Sequence, residues 1–241
     1  LSRAADLPAA FFSSILKVTV IIWRRNVKLF IYDHCPFCVK ARMIFGLKNI
    51  PVELNILMND DVDTPTRMIG QKMAPILQKD DSRYMAESMD IVHYVDKVDG
   101  KPLLTGDRNP AIAAWLRKVN EYTNRLLLPR MAKAPFDEFS TPEARAYFTE
   151  KKQASIGSFE EHLSHSQGLV KKISDDLRDL EKLIKEPNAV NGELSDDDFD
   201  LFPLLRNLTL VQGITWPTRV ADYRDNMAKQ TQVNLLTSMA I

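Results

Sequence analysis

Apolar positions change their spacing near residue 100, from short runs broken by turn residues to repeats three and four apart. Lys28 to Tyr32 (KLFIY) is a β-branched and aromatic run and predicts a buried strand. The chain then turns at Asp33-His34-Cys35-Pro36, and Val39, Met43 and Phe45 to Leu47 supply the apolar face of a helix. Pro36 suits the first helical position, where its missing N–H costs nothing. Asn49-Ile50-Pro51 stops this helix, and Val52 to Leu57 predicts a second strand. Thr64-Pro65 opens a short helix that Gly70 closes. Pro75 to Gln78 and Arg83 to Met85 predict two more strands around an Asp80-Asp81-Ser82 turn. Met89, Val92 and Val95 mark a third helix over Ser88 to Val98. The order β-α-β-α-β-β-α is the thioredoxin arrangement, predicted for residues 27–100.

Asp99 to Asp107 is rich in turn residues, and a linker is predicted at 101–107. Beyond it strand signals nearly vanish. Ile112, Leu116, Val119, Tyr122 and Leu126 share one helical face, Thr141-Pro142-Glu143 starts another helix, and Ile173, Leu177, Leu180 and Ile184 line a third. Ser195 to Asp198 caps an apolar helix expected over Phe199 to Val211, with acids at the positive end of the dipole. A last helix follows Trp216-Pro217. The fold class expected is an α/β thioredoxin-like N-terminal domain followed by an all-α C-terminal domain over 108–241.

Residues 1–26 do not join this pattern. Ala9 to Trp23 is apolar but carries Lys17 and is shorter than the roughly 20 residues a membrane span needs. Asp6 near the start and Trp23-Arg24-Arg25 after the run do not suit a secretory signal. The segment reads as an upstream extension outside the fold, with Val27 as a natural beginning of the domain.

Lys plus Arg and Asp plus Glu number 32 each, so there is no net cationic excess to neutralise phosphates, and nucleic acid is not an expected partner. The chain has two cysteines, adjacent in Cys35-Pro36-Phe37-Cys38. A secreted, disulfide-stapled protein would place cysteines to close long loops. This pair closes almost nothing, which argues for a reducing compartment, the cytoplasm, and for chemistry. Zinc needs about four ligands, and two Cys with four scattered His do not supply them, so no metal is expected.

Only a thiolate attacks a disulfide, and an ordinary Cys has a pKa of about 8.5. Cys35 lies at the start of a helix, where unpaired N–H groups and the dipole favour its anion. Cys38 lies one turn in on the same side, placed to resolve a mixed disulfide. His34 adds positive potential if its ring faces the sulfur. Pro75, in Met73-Ala74-Pro75-Ile76, opens a strand; a cis bond there would leave Ala74's N–H and C=O for an extended substrate. Glu87-Ser88 opens the third helix, either as a plain cap or as a carboxylate site.

At these residues the chain resembles the bacterial glutaredoxin 2 family, two-domain glutaredoxins shaped like glutathione transferases. The likeness covers residues 28–241 and includes the blocks YDHCPFCVKARMIFGLKNIPVEL, PILQKDDSRYM, ESMDIVHYVD, KPLLTG, NAVNGELS, LFPLLRNLTLV and YRDNMAKQTQ. It implies glutathione as co-substrate, with its sulfur at Cys35 beside Pro36 and Phe37, its cysteinyl backbone on Ala74 next to Pro75, and its γ-glutamyl carboxylate at Glu87-Ser88. It also implies a monomer whose helical domain is mainly structural, acting on disulfide-bearing or glutathionylated proteins. Two positions depart from the family pattern: Ala74 stands where Val is usual, and Ala86 where Pro is usual. Two other functions compete. A cysteine-type glutathione transferase would have no use for Cys38. A redox-sensitive binding protein, like the soluble chloride intracellular channel proteins, would carry its apolar segment within the fold, whereas residues 9–23 precede it.

Overall fold

The computed structural model describes residues 27–241. The expected extension, residues 1–26, lies outside the described residues. Four strands, β1 (Lys28–Ile31), β2 (Glu53–Ile56), β3 (Ile76–Gln78) and β4 (Tyr84–Met85), form one sheet in the order β2-β1-β3-β4. β1 pairs parallel with β2, Leu29 opposite Leu54, and antiparallel with β3, Leu29 opposite Leu77. The parallel pair requires a crossover, and α1 (Pro36–Leu47) makes it. Helices α2 (Asp63–Ile69) and α3 (Ser88–Lys97) complete the thioredoxin-like unit. The strands are one or two residues shorter than the apolar runs that predict them. β2 is an edge strand, and Leu54 and Ile56 stay exposed on it.

The remaining chain is helical: α4 (Pro110–Lys133), α5 (Pro142–Ile156), α6 (Phe159–Ser164), α7 (Gln167–Glu181), α8 (Asp196–Leu208) and α9 (Thr218–Thr231). Thr141 caps α5 as its sequence suggests, its side chain accepting the Ala144 N–H at 3.2 Å. Helix α8 begins earlier than the apolar run implies. Ser195 is its N-cap and Asp198 returns a bond to the Ser195 N–H at 2.9 Å, so the acids form the first turn rather than precede it. Helix α4 carries Pro129 within its last turns and continues to Lys133.

One continuous apolar core runs through both parts. Leu29, Ile31, Met43, Ile44 and Val92 of the first join Phe199, Phe202, Leu205 and Tyr223 of the second. Helix α1 therefore packs against α3 on one side and against α8 and α9 on the other. Gly46 permits this approach: a Cβ added there would lie 1.8 Å from the Thr231 carbonyl oxygen. The helix that presents the cysteines is thus held from both domains.

Candidate active site

The loop after β1 turns by a bond from the Cys35 N–H to the Tyr32 carbonyl, 3.3 Å, and delivers Cys35 as the N-cap of α1 with Pro36 at the first helical position. Cys35 is partly exposed and Cys38 fully buried. A hydrogen bond from the Cys38 thiol does most to bring the Cys35 pKa down to about 6, against the opposing effect of burial. The positive potential of His34 and the backbone N–H groups of Cys38 and Phe37 assist. Burial, and then the Cys35 sulfur beside it, push the Cys38 thiol well up, while its sulfur accepts the Tyr32 N–H at 3.3 Å. The two thiols are therefore driven in opposite directions. One is poised as an anion and the other as its hydrogen-bond donor.

His34 is buried among aromatic rings, stacked on Tyr32 at 5.9 Å and 4.9 Å from Phe139. Its N–H donates to Glu138 Oε1 at 2.9 Å, and its ring Nδ1 lies 2.7 Å from the same oxygen. Asn207 Nδ2 donates to its carbonyl at 3.2 Å. One residue earlier, Arg206 donates to the Asp33 carbonyl at 2.7 Å and to its carboxylate at 2.8 Å. Burial alone would raise the Asp33 carboxyl, but Arg206 and Arg42 hold it below the usual range. Glu138, Arg206 and Asn207 all belong to the helical part. The signal that could have pointed to Glu138 is the acidic pair Asp137-Glu138 set between Phe136 and Phe139, in a segment apolar enough to bury one of the two.

A cavity of about 830 Å³ lies in front of Cys35. His34, Cys35, Pro36, Phe37 and Ala74 line it from the thioredoxin-like side, and α4, α5 and α8 line it from the other. Phe37 is 55% exposed at its lip. The Ala74–Pro75 bond is cis. Among the described residues, the Ala74 N–H and C=O make no hydrogen bond. Pro75 and Cys38 are buried behind this surface. Glu87 and Ser88 lie outside the cavity lining, at the start of α3: Glu87 is its N-cap at φ 68°, and no side chain caps the helix. Ser88 is a mostly buried residue, and its hydroxyl makes no hydrogen bond among the described residues. Among those residues, no group of three or more His, Cys, Asp or Glu could hold a metal ion, and no helix is long and apolar enough to cross a membrane.

An acidic thiol on a strand-turn-helix, backed by a buried partner thiol, defines the dithiol oxidoreductases of the thioredoxin fold, and the helical domain over the cleft gives this one the shape of a glutathione transferase. Residues 29–102 match the glutathione S-transferase N-terminal domain, and residues 111–240 the glutaredoxin 2 C-terminal domain. The chain is 77% identical over 215 residues to glutaredoxin 2 of Escherichia coli K12, across 89% of this chain and all of that one. It is 79% identical to glutaredoxin 2 of Salmonella typhimurium, solved in complex with glutathione, with a TM-score of 0.89 over 90% of this chain and all of that one. A glutathione transferase of Phanerochaete chrysosporium shares the fold at 14% identity, with a TM-score of 0.66 over 85% of this chain and 97% of that one. The chain belongs to the glutaredoxin 2 family and is a glutathione-dependent thiol–disulfide oxidoreductase.

Proposed function

We propose that Cys35 is the nucleophile and Cys38 the resolving thiol in the reduction of glutathione mixed disulfides and protein disulfides. The observation that carries this is the opposed pair of thiol acidities, with Cys35 alone facing the cavity. The Cys35 thiolate attacks one sulfur of the substrate, forming a mixed disulfide while the other sulfur leaves as a thiolate and takes up a proton. Where Cys35 carries glutathione, a second glutathione thiolate displaces it as oxidised glutathione. Where Cys35 carries a protein, the Cys38 sulfur displaces the protein thiol and closes a Cys35–Cys38 disulfide, which two glutathiones then reduce. His34 stabilises the attacking thiolate.

Glutathione is bound along the thioredoxin-like side. Its sulfur meets Cys35 between Pro36 and Phe37, and its cysteinyl backbone adds to Ala74 ahead of Pro75. Its γ-glutamyl carboxylate meets Ser88 and the backbone after Glu87. The unbonded Ala74 backbone and the uncapped start of α3 support this path. The relative from Salmonella typhimurium is a glutathione complex, which supports the same ligand here. We place the division between domains at 101–107, because neither helix nor strand lies between Lys97 and Pro110. The linker is tied to both sides, Leu103 N–H to Asp96 at 2.7 Å and Gly106 N–H to the Leu194 carbonyl at 2.9 Å. The working form we propose is a monomer in the reducing cytoplasm. A glutathione–disulfide exchange assay run beside chlorodinitrobenzene conjugation tests the function. Exchange without conjugation is expected, and conjugation without exchange would contradict it.

A further inference from the structure

The wall of the cavity opposite the glutathione path is cationic, although the chain as a whole has no net charge. Helix α4 turns Leu116, Arg117, Asn120, Asn124, Leu127 and Met131 toward it, a stripe at three- and four-residue spacing. Apolar Leu127 and Met131 are more buried than Arg117, Asn120 and Asn124, which are exposed. Helix α5 adds Tyr147, Lys151 and Ser155 at i, i+4 and i+8, with Lys152 beside them. Arg117, Lys151 and Lys152 have no carboxylate partner among the described residues. Lys118, the neighbour of Arg117, lines no part of the cavity and is paired with Asp176 at 2.7 Å.

The one carboxylate that lines the cavity among the described residues does not neutralise this wall. Asp200 is bonded to Lys40 at 2.5 Å and to Arg108 at 3.2 Å. Lys151 lies 4.5 Å from the centre of the Tyr147 ring, and Lys72 lies 3.9 Å from it. Lys72 is two residues from Ala74 and belongs to the glutathione side. The helical cations are left over. They are exposed, Lys151 resting on the Tyr147 ring and Lys152 on the Phe148 ring without a carboxylate partner among the described residues, and they line the space from which a disulfide must approach Cys35. Unpaired cations around a reaction cleft raise the encounter rate and orientation of anionic partners more than they raise affinity.

We propose that Arg117, Lys151 and Lys152 form a docking surface for an acidic segment of the protein substrate, placed beside the cysteine whose sulfur leaves when Cys35 attacks. The proposal rests on the thiol-exchange reading above and adds a substrate preference to it. A mixed disulfide of glutathione with a small neutral thiol gains little from the wall, because its leaving side carries no carboxylate. A glutathionylated cysteine flanked by Asp or Glu gains most.

The test uses the full chain and two glutathionylated peptides that differ only in flanking residues, Asp-Asp on each side in one and Ser-Ser in the other. The unchanged protein is expected to favour the acidic peptide by roughly five- to tenfold in kcat/KM at low salt, a preference that fades with added salt as exposed charges are screened. The variant Arg117→Ser/Lys151→Ser/Lys152→Ser is expected to lose that preference and to retain glutathione-driven reduction of hydroxyethyl disulfide, which also reports an intact fold. Reversal in Lys151→Glu/Lys152→Glu should turn the preference toward a Lys-flanked peptide. Equal rates for both peptides in the unchanged protein, or a preference that survives the triple variant, would overturn the docking surface. Failure of the unchanged protein to reduce hydroxyethyl disulfide would overturn the thiol-exchange reading instead.

Discussion

At the scale of single residues, the chemistry rests on which thiol carries a proton. Cys35, at about 6, is largely thiolate at neutral pH, so alkylation by iodoacetamide should be level above pH 7 and fall as pH drops through 6. An ordinary cysteine would show its midpoint near 8.5. Because the Cys38 thiol is the largest single support of that anion, Cys38→Ala should move the midpoint upward, whereas Cys38→Ser, which keeps a donor, should move it less. A midpoint unchanged in Cys38→Ala would show that the helix start alone sets the acidity. Cys35, Cys38, Ala74 and Pro75 were legible in the sequence because a strand, a turn and a proline fix their places locally. Glu138 was not, since its meaning comes from a contact with His34 across 104 residues. For the same reason the helical domain, expected to be mainly structural, was not seen to line half of the cleft.

At the scale of elements, two helix starts bound the proposed glutathione path. Helix α1 leaves its first N–H groups for the Cys35 sulfur, and α3 starts without a side-chain cap. Removing the hydroxyl in Ser88→Ala should weaken glutathione use about tenfold or more, since a hydrogen bond to a charged group contributes about 1.5–3 kcal/mol. Rates with a small non-glutathione disulfide should hardly change, and equal losses for both would reduce Ser88 to a structural part of α3. Helix identities were readable from apolar spacing and caps, as at Thr141 and Ser195. Their ends were less so. The capping box started α8 at Asp196, ahead of the apolar run that begins at Phe199.

At the scale of the whole molecule, the two domains share a core, and the loop before Cys35 is clamped by Arg206, Asn207 and Glu138. The domains should therefore unfold together. Gly46→Ala tests this union without touching a reacting group, because the added methyl meets the Thr231 backbone. Overpacking of this kind costs about 1–3 kcal/mol, so the urea midpoint should fall in one cooperative transition. A second, separate transition would mean that the domains are independent.

The central claim is that Cys35 attacks first and carries the substrate. Its most direct test treats the Cys38→Ser and Cys35→Ser variants with oxidised glutathione and maps the adducts by mass spectrometry. Cys38→Ser should carry one glutathione, on Cys35, and keep much of its deglutathionylating activity while losing most reduction of protein dithiol disulfides. Cys35→Ser should be inactive in every exchange, because a serine hydroxyl is not ionised near neutral pH. Absence of the Cys35 adduct, or full activity in Cys35→Ser, would contradict the account.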